Sequence, residues 1–261
     1  NPDYPTNTGL PVHQGLGKGV LFWESQADAA TFAKYDDILS ADSYWMTDND
    51  LQVSSQGGCG LLPNSPIACG NGNSSGLTPA QSHLPANYAY DVTTLEQEQA
   101  LNGPSKPVVV DVETGCPFGN SNCITPPATT AAAWHALIAG ARGIIWFQHN
   151  FGGPCPDDVT FYDGSNPNSG MYNCQQTPGV TLHDVVANVT AFNNEVNALN
   201  GVLLSPTANG YVSATGDVTT MAKDDNGAFY VLAGSGQLGT PPPANQSVQF
   251  TLAGGYTGPV T

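Results

Sequence analysis

The sequence predicts an α/β fold: a parallel (β/α) barrel of which four strand–helix units are legible, followed by a small antiparallel β-module. Three observations carry that reading. Strand-like and helix-like patterns alternate through residues 19–204, and alternation implies parallel strands joined by right-handed crossovers. The run Pro-Val-Val-Val-Asp-Val at 107–112 is continuous and β-branched, as in a strand buried on both faces. After Pro206 short strand patterns replace helical periodicity, which does not return. Four units are half of a closed barrel, which takes about 250 residues, so the sheet is open or the chain carries one half of a barrel.

The elements follow in order. Residues 1–18 are polar and rich in turn formers, and 19–23 reads as a buried strand ending at Glu24. Helical spacing covers 27–35, and 38–45 reads as a second strand. A long Gly/Pro/Asn loop, 47–87, precedes a helix over 93–101, which Asn102-Gly103-Pro104 stops. The strand 107–112 leads to a helix over 129–141, with Trp134, Leu137, Ile138 and Ala141 on one stripe. Residues 143–147 form the next strand and 150–178 a second long loop. Thr181 caps a long helix, with Asp184 three residues on, and Gly201 is its stop. Strands at 211–215, 219–223, 229–233 and 248–252 follow, with Asp225-Asn226-Gly227 as a hairpin turn. These patterns divide the chain into a barrel portion, 1–204, and a β-sandwich-like module, 205–261.

Charge excludes one class of partner. Five Lys and Arg stand against 21 Asp and Glu, a formal net charge of −16, and such a surface repels nucleic-acid phosphates. No apolar run reaches membrane-span length. The cysteines fall as near pairs, Cys59/Cys69, Cys116/Cys123 and Cys155/Cys174, each inside one loop. Local pairing needs little chain rearrangement, so three loop-stapling disulfides are expected among the possible connectivities. They imply an oxidising, extracellular or cell-surface location. No CxxC spacing or adjacent His supports zinc; neither a metal nor a cofactor is expected. Sequons stand at Asn73, Asn188 and Asn245.

In parallel α/β folds the working residues sit at strand C-termini. Those ends carry Glu24, then Asp42 and Tyr44, then Asp111 and Glu113, then Trp146, Gln148 and His149. Carboxylates with aromatic rings and few bases suit neutral polyols, since acids do the chemistry and rings stack on sugars. Asp111 and Glu113 are two apart and share a face. Glu113 reads as a catalytic carboxylate, or as one capping a nearby loop. Glu24 is a second acid or a residue opening the next helix, where Ser25 is the cap. Asp42 holds Tyr44 or forms a turn. Trp146 is a sugar platform or core, and His149 is a sugar contact or a satisfied loop histidine.

The succession SADSYWMTDND, KPVVVDVETG, TTAAAWHALIAGARGIIWFQHNF, a helix ending ALNGVLLSP, and then a β-module resembles the C-terminal half of retaining glycoside hydrolases of clan A. The resemblance implies a (β/α)₈ barrel with Glu113 as nucleophile, Tyr44 touching it, and Trp146 flooring the sugar subsite. The clan's Asn-Glu acid/base has no counterpart here. On this mapping Glu24 ends the fifth strand, and the acid/base lies in an N-terminal half outside these residues unless Glu24 substitutes. The expected function is therefore retaining hydrolysis of an extracellular or cell-wall oligo- or polysaccharide. The alternative is a non-catalytic glycan-binding or structural module, such as a surface adhesin or phage tail component.

Overall fold

The computed structural model describes residues 10–22, 24–52, 78–118 and 122–254; Cys59, Cys69 and Asn73 lie outside them. Four parallel strands stand side by side in chain order: β1 (His13–Gly17), β2 (Ile38–Asp42), β3 (Val109–Glu113) and β4 (Gly143–Phe147). β1 pairs with β2 and β3 with β4, and a bridge from Leu39 to Val108 joins the two pairs. The described residues close no barrel, so the expectation of a (β/α) barrel is met only as a mixed α/β arrangement with small parallel and antiparallel sheets.

The first element departs from expectation. The strand expected at 19–23 is a helical turn, α1 (Gly19–Phe22), and the first strand lies in the segment read as turn-rich. A short apolar run does not distinguish helix from strand, and Gly15 and Gly17 mask the strand. Lys18 begins the turn, its carbonyl accepting from the amides of Leu21 and Phe22 at 3.1 Å.

Helices cover one face of the strands. α2 (Gln26–Ala33) opens on Ser25, whose side chain accepts from the Asp28 amide. α3 (Pro79–Ser82) precedes α4 (Tyr88–Ala100), which starts earlier than the apolar spacing suggested because Tyr88, Tyr90 and Val92 are buried. α5 (Pro126–Ala139) starts behind two prolines placed where helices tolerate them. Leu39, Ala41, Val108, Val110 and Val112 alternate toward these helices and are buried with Leu95, Ala132 and Ala136. At its centre Trp45 meets Phe22 edge-on at 5.1 Å, and Phe22 stacks on Tyr90 at 5.9 Å. Each such fully buried side chain contributes about 1.5–3 kcal/mol.

The loop after β4 contains α6 (Thr160–Ser165) and a hairpin of β5 (Gln175–Thr177) and β6 (Val180–Thr181). Thr181 and Asp184 form the expected capping box of α7 (Leu182–Ala198), and α8 (Asn200–Leu204) continues it. Between Ser205 and Gly254 one 3₁₀ turn (Asn209–Tyr211) accompanies four strands: β7 (Val212–Ala214) pairs with β10 (Phe250–Leu252), and β8 (Val218–Asp225) with β9 (Ala228–Ser235), all antiparallel. The β8–β9 turn holds Asn226 at φ 55° and Gly227 at φ 86°, as a two-residue hairpin requires. β8 and β9 pack on α5. There Gly234 leaves room for the His135 ring; an added Cβ would stand 2.5 Å from it. Of the sequons, Asn188 lies within α7 and donates to the Pro126 carbonyl at 2.6 Å, whereas Asn245 is exposed.

Candidate functional site

The strand register sorts the residues. In a parallel pair, partners share a face, and the face alternates along the strand. Glu113 pairs with Phe147, Asp111 with Ile145, and Gly17 with Asp42. The Leu39–Val108 bridge brings Asp42 alongside Asp111. These residues stand on the face away from the helices.

Of the two readings of Trp146, its placement follows the core one. Its register partner is Val112, and its ring packs into the helix-facing core, 5.4 Å from Phe192. The single-residue alternation gives the open face to Phe147 instead. Glu24 is also displaced from its expected place: it follows α1, its amide bonded to the Gly19 carbonyl at 3.0 Å, and so ends no strand.

Glu113 ends β3 fully buried. Its Oε1 accepts from the Met46 amide at 2.8 Å, while its Oε2 has no hydrogen-bond partner among the described residues. Burial pushes its pKa up to about 7, against the lowering effect of backbone amides that include Met46 and Thr47. Tyr44 builds that amide cup: its φ of 46°, unusual for an aromatic residue, curls the chain so that the following amides face Glu113.

The Tyr44 hydroxyl bonds to Asp42 and not to Glu113, and burial holds its proton on. Asp42 is raised by burial and then by Asp111; Asp111 is raised by burial, relieved by a bond from Ser40. The Ser40 hydroxyl also meets His13 Nε2 at 2.9 Å. At the end of β1, Lys18 pairs with the buried Asp48. Under the Tyr44 turn, Asp91 of α4 accepts from Ser43 Oγ at 2.7 Å and Trp45 Nε1 at 3.0 Å.

Aromatic rings gather at the strand ends, where the sequence placed Tyr44 and Trp146. Tyr44 meets Phe147 at 5.0 Å and Phe118 at 5.3 Å, and Phe147 approaches Phe151 at 6.2 Å. His149 lies edge-on to Phe151 at 4.6 Å. Phe118 and Phe151 are 50% and 65% exposed, so their rings border the solvent side of this cluster. Gln148 is half-buried, its carbonyl accepting from the Thr160 amide at 2.8 Å.

The loops bearing Phe118 and Phe151 brace one another. The Phe151 amide donates to the Pro117 carbonyl at 3.0 Å, and Asn150 Oδ1 accepts from the Cys116 amide at 2.7 Å. Asn150 in turn donates to Asp158, whose pKa burial raises to about 6. A Cβ on Gly115 would stand 2.5 Å from Gln176 Nε2 and 2.7 Å from Asn150 Oδ1, so a larger residue there has to displace both side-chain amides. Disulfides Cys116–Cys123 and Cys155–Cys174 staple the two loops as expected from their spacing. No described helix is long and apolar enough to cross a membrane. The two disulfides are compatible with an extracellular location.

Chemically, the face offers three carboxyl groups that hold protons more tightly than usual, a tyrosine hydroxyl and a ridge of rings. Asp48, Asp91, Phe118, Phe147, Phe151 and Lys18 were not singled out in the sequence. Aromatic residues four or five positions past a strand end were the available signal for Phe118 and Phe151.

No protein-family model matches the chain, and no curated protein matches it. Among solved structures, Eubacterium rectale Amy13B is similar over 81% of this chain and 41% of that chain, at 14% identity and a TM-score of 0.40. The chain thus spans about two-fifths of that protein, and so low a score does not establish a shared fold.

Proposed function

We propose that this chain is a glycoside hydrolase unit acting on an extracellular glycan at the C-terminal edge of its parallel strands. Glu113 is the reacting carboxylate, Tyr44 shapes the loop around it, and Phe118, Phe147 and Phe151 face the sugar. Asp42 and Asp111 contact its hydroxyls, with Gln148 and His149 at the edge. The partner acid comes from outside the described residues, and 205–261 is an accessory β-module. The observation that carries this reading is the buried Glu113 carboxyl with one oxygen left unpartnered. Unlike the equally buried Glu98 of α4, Glu113 stands at a strand C-terminus beside Asp42, Asp111 and Tyr44, where a costly carboxyl points to chemistry.

A second reading, a glycan-binding module without catalysis, draws on the other half of the same observation. Glu113 is 0% exposed and braces the Met46 amide, so attack on an anomeric carbon requires the Tyr44–Thr47 turn to shift. A polysaccharide panel tests the activity. Wild type is expected to cleave one member, and Glu113→Gln to lose cleavage by on the order of 10⁴-fold or more while still binding it. Cleavage undiminished in Glu113→Gln removes Glu113 from the chemistry.

A further inference from the structure

Away from the strand ends, a cleft of about 220 Å³ opens between the α5–β4 turn, α7, α8 and β8. Arg142, Asn200, Thr207, Asn209 and Lys223 line it among aliphatic residues. The chain has only five Lys and Arg against 21 acids, yet two of the five share this cleft.

Lys223 is 3% exposed. Its Nζ donates to the Ser205 carbonyl at 3.2 Å and to Thr207 Oγ1 at 3.3 Å. An ammonium has three donors, so one is left. Among the described residues neither Lys223 nor Arg142 forms an ion pair with a carboxylate, whereas Lys18 has Asp48. The charged neighbours are few. Arg142 repels Lys223, and its electrostatic influence reaches Glu96 on the other side. Asp225, on the same face of β8 as Lys223, is engaged by the Asn226 side chain at 2.9 Å.

The neutral side chains point the same way. Thr207 Oγ1 accepts from Lys223 and keeps its own proton to donate. Asn209 uses its Oδ1 on the Ala222 amide at 2.7 Å, which leaves its NH₂ group. The cleft therefore presents positive charge and donors, with the Asn209 and Thr207 oxygens already accepting. A buried cation without a counter-ion is unfavourable, and an anion resolves that.

We propose that this cleft binds a small oxoanion, held by Lys223 and Arg142 and hydrogen-bonded by Thr207 and Asn209. Its volume lies below the ~300–1,000 Å³ of drug-sized sites, which limits the ligand to an inorganic oxoanion or the carboxylate of a single acidic sugar. Because helices form one wall and β8 the other, the anion ties the β-module to the helical layer, and binding raises stability.

The test is thermal unfolding at constant ionic strength, with chloride replaced by phosphate, sulfate or glucuronate, and phosphate titrated calorimetrically. Tm is expected to rise and saturate with at least one of the three. A rise with phosphate or sulfate identifies an inorganic anion, and a rise with glucuronate alone an acidic sugar. Arg142→Gln should weaken binding about tenfold and Lys223→Met abolish it. Should Lys223→Met not fold, the exposed Arg142 decides alone. Equal Tm values in all four anions, or a rise that survives both substitutions, overturns the proposal.

Discussion

Glu98→Leu is expected to stabilise the protein at pH 8 by ~2–4 kcal/mol, read as a raised midpoint in urea. Glu98 lies on α4 fully buried, and both carboxylate oxygens lack a partner among the described residues. Burial pushes its pKa up to about 8. A folded-state pKa above the unfolded one contributes stability that is fully present below about pH 4.5 and is lost as pH rises through the folded value. Glu113, raised to about 7, acts in the same direction. Wild-type stability should therefore fall between pH 5 and pH 8, and Glu98→Leu should flatten the upper part of that fall. His135 works from the acid side. Burial lowers its pKa, so its contribution is lost as pH drops below about 6.5. A variant no more stable than wild type at pH 8 would contradict this account of Glu98.

Asp91→Ala is expected to destabilise by about 3 kcal/mol. The Trp45 indole N–H and the Ser43 hydroxyl lose their acceptor, and both residues are fully buried. The Tyr44–Thr47 turn rests on that anchor, so the change should also loosen the amide cup around Glu113. Hydrogen exchange checks this: the Met46 amide should exchange faster in Asp91→Ala by more than the global loss of stability explains.

β2, α4, β3, α5, β4 and α7 were legible because each has the right period over enough residues, whereas α3, α6 and the β5–β6 hairpin are too short to show one and fell in or beside segments read as loop. The pair Asp111 and Glu113 shows why the site was half legible. Their spacing fixed a common face, and β3 delivers it. The same alternation misled at Trp146, where the register on β3, not the residue type, decides which side of the sheet an aromatic takes. Glu24 failed for a related reason: the Gly-Val-Leu-Phe run of α1 has the composition of a strand and is too short to show a helical period. Glu113's confinement could not be read at all. It depends on the backbone of Tyr44–Thr47, some 67 residues away in sequence, and on Tyr44 adopting a left-handed conformation that an aromatic residue does not announce. The Phe118 and Phe151 ridge depends on two loops bracing one another through Asn150, a tertiary fact with no local pattern.

As the proposed nucleophile, Glu113 should attack the anomeric carbon of a bound sugar. Incubating the protein with a panel of 2-deoxy-2-fluoro glycosides and mapping the modified peptide by mass spectrometry tests it most directly. A covalent glycosyl adduct is expected on the peptide carrying Glu113 and absent in Glu113→Gln. Saturable glycan binding with Glu113 unlabelled, or an adduct on another carboxylate, would contradict it.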